Sequence, residues 1–419
     1  MKNSACAWMV GVAVCAVLAA TPPASTQSAP DVLLAQAPRL ERNVIKVGIV
    51  DTYSGPPAVF GNDALNGFKL ALTEINRESV LGARIEFVTR DERFSPEIGL
   101  SMARELVLQE RVDILVGTIN SATALAIGAY AKDQKIPFIV WISKSEKITG
   151  QNGHRYVFST GENTAMAGRA IAEALTRRPY TKFWIGAEDY EYGHAITNSF
   201  WKFMKRARPE VTLMGQTWWR TGEPDLVPYL TAIGNARPEA VFFGTGGAGM
   251  TNVLRVMKAT GMSERIPTVI HTAIDHAVLR PLGANAPEGV LGTIDYLWYY
   301  PETAANQGFV RAFQAAYGGP PGFPAFHGYN TAYFIAQAIR KARSLDREKF
   351  VDALEGLKIN TPVGEVEMRA CDHQAVLPLF LGTTKKTSQY EFLVATGIST
   401  LRGEEVMPTC DDIRKARGQ

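Results

Sequence analysis

From residue 43 onward the chain alternates short β-rich runs with amphipathic stretches, and this alternation restricts the fold more than any other feature. Asn43 to Val50 (NVIKVGIV) predicts a strand, and Leu65, Phe68, Leu72 and Ile75 follow it at helical spacing. The alternation recurs with a period of about 25 to 30 residues, which favours parallel strands linked by helices. We therefore predict an α/β fold with two doubly wound parallel-sheet units.

The alternation forms two series of strands and helices. The first series closes with a strand at Pro137 to Ile142, and the second begins after Tyr156 to Ser159. Residues 304–357 have a mostly helical pattern, and the tail beyond them predicts short strands and hairpins. A chain of 419 residues is too long for one ordinary core and suggests two domains of roughly 150 to 200 residues.

The first thirty residues are typical of an export signal. Lys2 is the only charge before Asp31, and residues 5–20 are apolar throughout. A membrane anchor is the alternative, but it needs about 20 apolar residues and this run ends at Thr21. We expect a periplasmic protein whose leader, residues 1–30, is cleaved.

Loss of the leader leaves two cysteines, Cys371 and Cys410. In an oxidising periplasm an isolated pair of cysteines normally joins. A redox or metal pair that uses His373 is the alternative, but one cysteine and one histidine give a weak metal signal. The sequence therefore predicts a structural disulfide between Cys371 and Cys410.

Composition and motifs argue against several classes of function. The 44 basic and 41 acidic residues leave a net charge of +3, too little for a nucleic-acid partner. We find no G-x-S-x-G, no G-x-x-x-x-G-K-[ST] and no H-E-x-x-H motif. The acidic run Glu188 to Glu191 is interpreted as a solvated loop. We predict a protein that is not an enzyme and that has no metal or cofactor.

Residues 244–249 (GTGGAG) form a G-x-G-x-x-G pattern between a predicted strand and a predicted helix. Such a loop can bind a dinucleotide, but the next strand ends at His271, where an acid should hold the ribose. Exported proteins also rarely meet nicotinamide cofactors. The alternative is a glycine-rich loop at a strand end, where open α/β sheets bind ligands.

Clusters of small polar residues follow three strands of the first series. They begin at Ser54, Asn120 and Ser143. Capping of the next helix explains any single hydroxyl, but three such loops at one sheet edge also predict a small-molecule cleft. Phe60 is expected to form an apolar wall of that cleft.

Several motifs in order resemble the branched-chain amino-acid-binding family of type I periplasmic solute-binding proteins, over residues 43–396. The matching segments are Tyr53-Ser54-Gly55-Pro56, Phe60-Gly61, Asn66-Gly67, Glu74-Ile75-Asn76, Gly117-Thr118, Glu188 to Gly193, Glu288-Gly289-Val290 and Asp372-His373-Gln374. The resemblance implies a monomer that delivers a small carboxylate-bearing ligand to an inner-membrane ABC permease. A ligand sensor of the same fold and an exported α/β enzyme are the alternatives.

The resemblance also implies two lobes that interleave in sequence. The N-terminal lobe comprises residues 40–157 and 299–364, and the C-terminal lobe comprises residues 158–298 and 365–419. The ligand is expected between them, with its carboxylate held by hydroxyls and amides that include Ser121 and Ser143. The complete set of expected ligand-binding residues is Ser54, Phe60, Asn120, Ser121, Thr123, Ser143, Lys144, Tyr192, Thr245, Thr272 and Asp275.

The sequence departs from the family pattern around the ligand ammonium. Lys144 stands where amino-acid binders usually have a small hydroxyl residue, and a lysine repels an ammonium but attracts a carboxylate. The family acid falls near Thr272, with Asp275 as the closest carboxylate. These departures favour a carboxylate without an α-amine, either aromatic or dicarboxylic. In the alternative interpretation, Lys144 is a surface side chain.

Overall fold

The computed structural model describes residues 39–419, together with Met9, Gly11 and Ala13. The predicted leader therefore lies almost wholly outside the described residues. No helix in the described part of the chain combines the length and the hydropathy that a membrane-spanning segment requires.

Strands and helices alternate along the first two thirds of the described chain, as the sequence pattern predicts. The first series comprises β1 (Val44–Asp51), α1 (Ala58–Glu78), β2 (Arg84–Asp91), α2 (Pro96–Leu108), β3 (Ile114–Gly117), α3 (Ser121–Gln134), β4 (Phe138–Val140) and β5 (Val157–Ser159). The second comprises α4 (Thr164–Thr176), β6 (Lys182–Glu188), α5 (Glu191–Ala207), β7 (Thr212–Trp219), α6 (Val227–Ala236), β8 (Ala240–Gly244), α7 (Gly247–Ala259), α8 (Met262–Arg265), β9 (Thr268–Ile270), α9 (His276–Leu282) and β10 (Leu291–Ile294).

The last third begins with three helices and continues with short strands. These elements are α10 (Ala304–Tyr317), α11 (Phe323–Ala342), α12 (Arg347–Leu354), β11 (Lys358–Thr361), β12 (Gly364–Glu367), β13 (Leu379–Lys385), β14 (Val394–Leu401), α13 (Gly403–Val406) and α14 (Cys410–Ala416). Helix α11 packs along α1, which returns this part of the chain to the first sheet.

Two sheets organise the described chain. The first has the order β2-β1-β3-β4-β5, and all its pairs are parallel. The second has the order β14-β13-β10-β9-β8-β6-β7, in which β13 and β14 form an antiparallel edge on a parallel core. Its parallel strands, read as β7-β6-β8-β9-β10, repeat the order of the first sheet. The predicted α/β class with two parallel-sheet units is confirmed.

Local sequence explains where the helices around the sheet edges begin. Ser95 accepts a hydrogen bond from the backbone of α2, and Asn120 accepts two from the backbone of α3. Such caps satisfy backbone donors that have no partner inside the helix. Strand β3 between these helices is fully buried, as expected for the centre of a parallel sheet.

The tail is bonded to the first sheet and is also cross-linked within itself. The backbone of Ser159, at the end of β5, bonds to His373 and Ala375. Cys371 and Cys410 form a disulfide, which confirms the predicted pairing. The lobe boundaries given by the sequence remain a prediction.

Candidate functional site

A cavity of about 360 Å³ lies at the carboxyl ends of strands from both sheets. Open α/β sheets bind ligands at this end because the helix N-termini and the loops converge there. Ser54, Phe60, Ser121, Lys144, Tyr192 and Thr272 line the cavity, as do Arg93, Phe94, Ile119, Ile142, Glu188, Tyr190 and Phe323. Six of the eleven predicted ligand-binding residues therefore come together around it.

Lys144 is the buried charged group on the first-sheet side of the cavity, where the lining also includes the exposed Arg93. It follows β4 and is only 5% exposed. Its Nζ lies 2.5 Å from Oε2 of Glu162 and 4.6 Å from the centre of the Phe323 ring. A buried ammonium needs both a counter-charge and hydrogen-bond acceptors, and Glu162 supplies one of each. The alternative interpretation of Lys144 as a surface side chain is wrong.

Glu162 connects the two sheets through a buried hydrogen-bond chain. Its Oε1 lies 3.0 Å from Nε2 of His271, whose Nδ1 lies 2.9 Å from the Tyr192 hydroxyl. Burial lowers the pKa of His271, so the ring is neutral and donates through Nε2 while accepting through Nδ1. The chain joins a loop of the first sheet to the start of α5 in the second.

Asp295 and His327 lie behind Glu162, away from the cavity lining. Nε2 of His327 is 2.6 Å from Oδ2 of Asp295, and burial lowers the pKa of His327 to about 3. One ligand atom each from Glu162, Asp295 and His327 falls within 4.8 Å of the others, a spacing that a metal ion could use. The ammonium of Lys144 already supplies a positive charge to Glu162, and it would repel a metal ion placed there.

The start of α3 brings further donors to the first-sheet side. Ser121 is the first residue of this helix and lines the cavity, and its Oγ accepts from the backbone of Ser145. Because that oxygen acts as an acceptor, its hydrogen remains free to donate. The N-terminus of a helix also favours an anion. Ser121 and Lys144 together suit a ligand carboxylate.

Other predicted residues surround the cavity without lining it. Asn120 caps α3, and Thr123 is a fully buried residue of the same helix. The hydroxyl of Ser143 donates to the backbone carbonyl of Thr118. Asp275 caps α9 and accepts from the backbone of Phe323. Thr245 donates to Glu188 at 2.7 Å. Their side chains hold the loops in place.

Aromatic rings form part of the remaining wall. Phe60 and Phe323 have ring centres 5.9 Å apart, and Tyr190 lies 5.8 Å from Tyr192 and 6.1 Å from Phe94. These separations are typical of attractive aromatic pairs. The cavity between them suits a flat, apolar body.

Glu188 is the charged group on the second-sheet side. It ends β6, is 3% exposed and lines the cavity, so the interpretation of its run as a solvated loop is wrong for this residue. Burial raises its pKa, while hydrogen bonds from Thr245 and the backbone N–H groups of Gly246 and Gly222 partly offset that rise.

The glycine-rich loop packs directly on the Glu188 carboxylate. Gly246 caps α7, and a Cβ on Gly249 would overlap the carboxylate oxygens. The anion that this helix start accommodates is therefore a side chain of the protein itself. The glycines make room for Glu188, and the dinucleotide alternative has no support from this geometry.

Sequence reasoning missed Glu162, Glu188 and Phe323 as site residues. Glu162 follows a strand, and Glu188 ends one. A position at the carboxyl end of a strand is the same signal that identified the serine clusters. Phe323 begins α11, far along the chain from the other residues, and no local pattern indicates its position.

Comparison with known proteins now identifies the family. Residues 44–389 match the family described as periplasmic binding protein. The chain belongs to this family. The predicted resemblance is confirmed, and the two-sheet architecture is the fold of its solved members.

Three relatives illustrate the similarity. The leucine-, isoleucine-, valine-, threonine- and alanine-binding protein of Pseudomonas aeruginosa is 24% identical over 326 residues, which cover 77% of this chain and 85% of that protein. The solute-binding protein of an ABC transporter from Rhodopseudomonas palustris BisB5, in complex with 3,4-dihydroxybenzoic acid, has a TM-score of 0.80 at 22% identity. The match covers 87% of this chain and 99% of that chain. A second Rhodopseudomonas palustris solute-binding protein, in complex with 4-hydroxybenzoate, has a TM-score of 0.78 at 21% identity, and the match covers 85% of this chain and 97% of that chain.

Proposed function

We propose that this protein is an exported solute-binding component of an ABC importer. It captures a small carboxylate-bearing ligand between its two sheets and delivers it, as a monomer, to an inner-membrane permease. The ligand is an amino acid or a related organic acid, and the site favours an aromatic carboxylate. Family membership supports the transport role, and the lining of the cavity supports the ligand class.

The observation that carries the proposal is the buried Lys144 in the lining of a cavity that also contains several aromatic rings. An ammonium has three N–H donors, and Glu162 accepts one of them in the structure. A ligand carboxylate placed beside Ser121 could accept another. The rings of Phe60 and Phe323 would then cover the apolar body of the ligand.

The same geometry favours binding over catalysis. Ser121 lines the cavity and its Oγ is bonded to the backbone of Ser145, while His271, outside the lining, is bonded to Glu162 and Tyr192. An activated nucleophile requires a base within hydrogen-bond reach. We therefore propose a carrier and expect no turnover of the ligand.

Native mass spectrometry of the purified mature protein tests the proposal by detecting ligand that co-purifies. A thermal-shift panel of leucine, benzoate, 4-hydroxybenzoate and succinate then ranks the ligand classes. A ligand at 100 times its dissociation constant should stabilise the protein by about 2.7 kcal/mol. If no carboxylate changes the melting temperature, or if products accumulate, the proposal fails.

A further inference from the structure

Two buried groups of opposite charge in the cavity lining come from different sheets. Lys144 follows β4 of the first sheet, and Glu188 ends β6 of the second. Aromatic residues, including Phe60 and Tyr190, line the wall along with these two groups. A ligand that contacts both groups needs a carboxylate for Lys144 and a hydrogen-bond donor for Glu188.

The Glu188 carboxylate is held in a fixed position from the protein side. Thr245 donates to Oε2 at 2.7 Å, and the backbone N–H groups of Gly246 and Gly222 offset part of the rise in the pKa of the carboxyl group. An ionised carboxyl group has about four acceptor positions. The carboxylate is therefore able to accept a further hydrogen bond from the cavity.

We propose that Glu188 is a specificity-determining residue that accepts a hydrogen bond from a hydroxyl group on the ligand, while the ligand carboxylate lies beside Lys144. This inference rests on the proposed function and specifies its ligand class as hydroxylated aromatic carboxylates. Nothing in the charge pattern of the sequence assigns this role to Glu188.

The chemistry of the site favours a ring hydroxyl over an α-ammonium. In an α-amino acid the ammonium and the carboxylate share one carbon atom, so the two groups stay close together, whereas Lys144 and Glu188 belong to different sheets. A flat ring separates its substituents and also fills the space between Phe60 and Phe323. Benzoate and 4-hydroxybenzoate differ only in the hydroxyl group, so they form a matched pair of probes.

Calorimetric titration of the mature protein with these two probes tests the proposal. A hydrogen bond to a charged group contributes about 1.5 to 3 kcal/mol, so 4-hydroxybenzoate should bind about 10- to 100-fold more tightly than benzoate. In Glu188→Gln, the single amide oxygen is engaged by the protein donors, and the ratio of the two affinities should fall towards one.

Two further variants separate recognition from folding. Gly249→Ala leaves Glu188 intact but displaces its carboxylate, so the affinity ratio should also fall. Asp189→Asn makes the same acid-to-amide change at the next residue, whose side chain is 65% exposed, and should keep the wild-type ratio.

Each result leads to a definite conclusion. If the wild-type protein binds both probes equally, or if Glu188→Gln weakens both by the same factor, Glu188 does not recognise the hydroxyl. Tighter binding of leucine than of 4-hydroxybenzoate would also overturn the inference, while the carrier function would stand. If neither probe nor leucine binds, the proposed function itself fails.

Discussion

The Lys144–Glu162 pair is the residue-level feature that most affects ligand binding. Both side chains are buried, and Glu162 links the pair to the second sheet through His271 and Tyr192 and through its backbone N–H, which donates to Asp295. Breaking a buried pair by removing one partner leaves a charge without compensation. The two partners should therefore have opposite effects on the affinity for an anionic ligand.

We expect Lys144→Met to weaken binding of the carboxylate identified by the panel about 10- to 100-fold, because a charge-assisted hydrogen bond is lost. Glu162→Gln should strengthen binding of the same ligand, because it removes a negative charge that competes for the ammonium. Calorimetric titration measures both changes. Lys147→Met, at a side chain that is 43% exposed, serves as the control. Weaker binding in both variants would show that Glu162 does not compete with the ligand.

The shared strand order of the two sheets is the main feature at the level of elements. Strands β1 and β6 hold equivalent positions and end in Asp51 and Glu188, and both carboxyls are buried with raised pKa values because of desolvation. Helices α1 and α5, which follow these strands, each contain an aromatic residue followed by a glycine. A Cβ on Gly61 or Gly193 would overlap a backbone carbonyl at the end of the preceding strand.

This close approach predicts that both glycines are required for stability. Gly61→Ala and Gly193→Ala should each lower the free energy of unfolding by about 1 to 3 kcal/mol, because backbone atoms must move to admit the methyl group. Gly308→Ala in α10 is the matched control. Its added Cβ would meet no atom within 4 Å, so it should raise stability by about 0.5 to 1 kcal/mol. Urea unfolding curves measure all three, and equal effects at the three sites would refute the packing argument.

The strand–helix alternation predicted the fold because the buried strands of a parallel sheet are continuously apolar. Strand β7 lacks this continuous apolar signal because it is an edge strand, where alternate residues in the first part of Thr212–Trp219 are exposed. The serine clusters predicted the first-sheet side of the cavity, since they follow strands directly. The second-sheet side was harder to predict, because Glu188 in an acidic run and Phe323 on a distant helix become site residues only through tertiary packing.

Buried ionisable groups throughout the molecule make its stability depend on pH. Desolvation raises the pKa of Asp63 to about 7 and raises those of Asp51 and Glu92, which share one buried site. Between about pH 4 and pH 7 these carboxyls hold their protons in the folded state and release them on unfolding. Desolvation also lowers the pKa of His154 to about 4, so this ring is neutral when folded and takes up a proton on unfolding in acid.

The carboxyl contribution to stability is fully present below about pH 4 and is lost as pH rises through about 7, because unfolding then releases protons. The histidine contribution acts in the opposite direction and is lost as pH falls below 6.5. We therefore expect stability to decline from pH 6.5 to pH 8 in chemical denaturation experiments. Asp63→Asn should flatten this decline, and an unchanged slope would show that Asp63 does not hold its proton.

The pairing of Lys144 with Glu162 also determines how the empty carrier behaves in a salt-rich compartment. A buried cation without a partner would attract chloride and phosphate, which are abundant and would compete with the transported solute. Glu162 already neutralises Lys144, so the electrostatic attraction between Lys144 and an inorganic anion is weak. This attraction does not offset the free energy that the anion loses when it leaves its hydration shell. An anion that also covers the aromatic walls gains contacts that a small hydrated ion cannot make, so the carrier stays available for its ligand at high ionic strength.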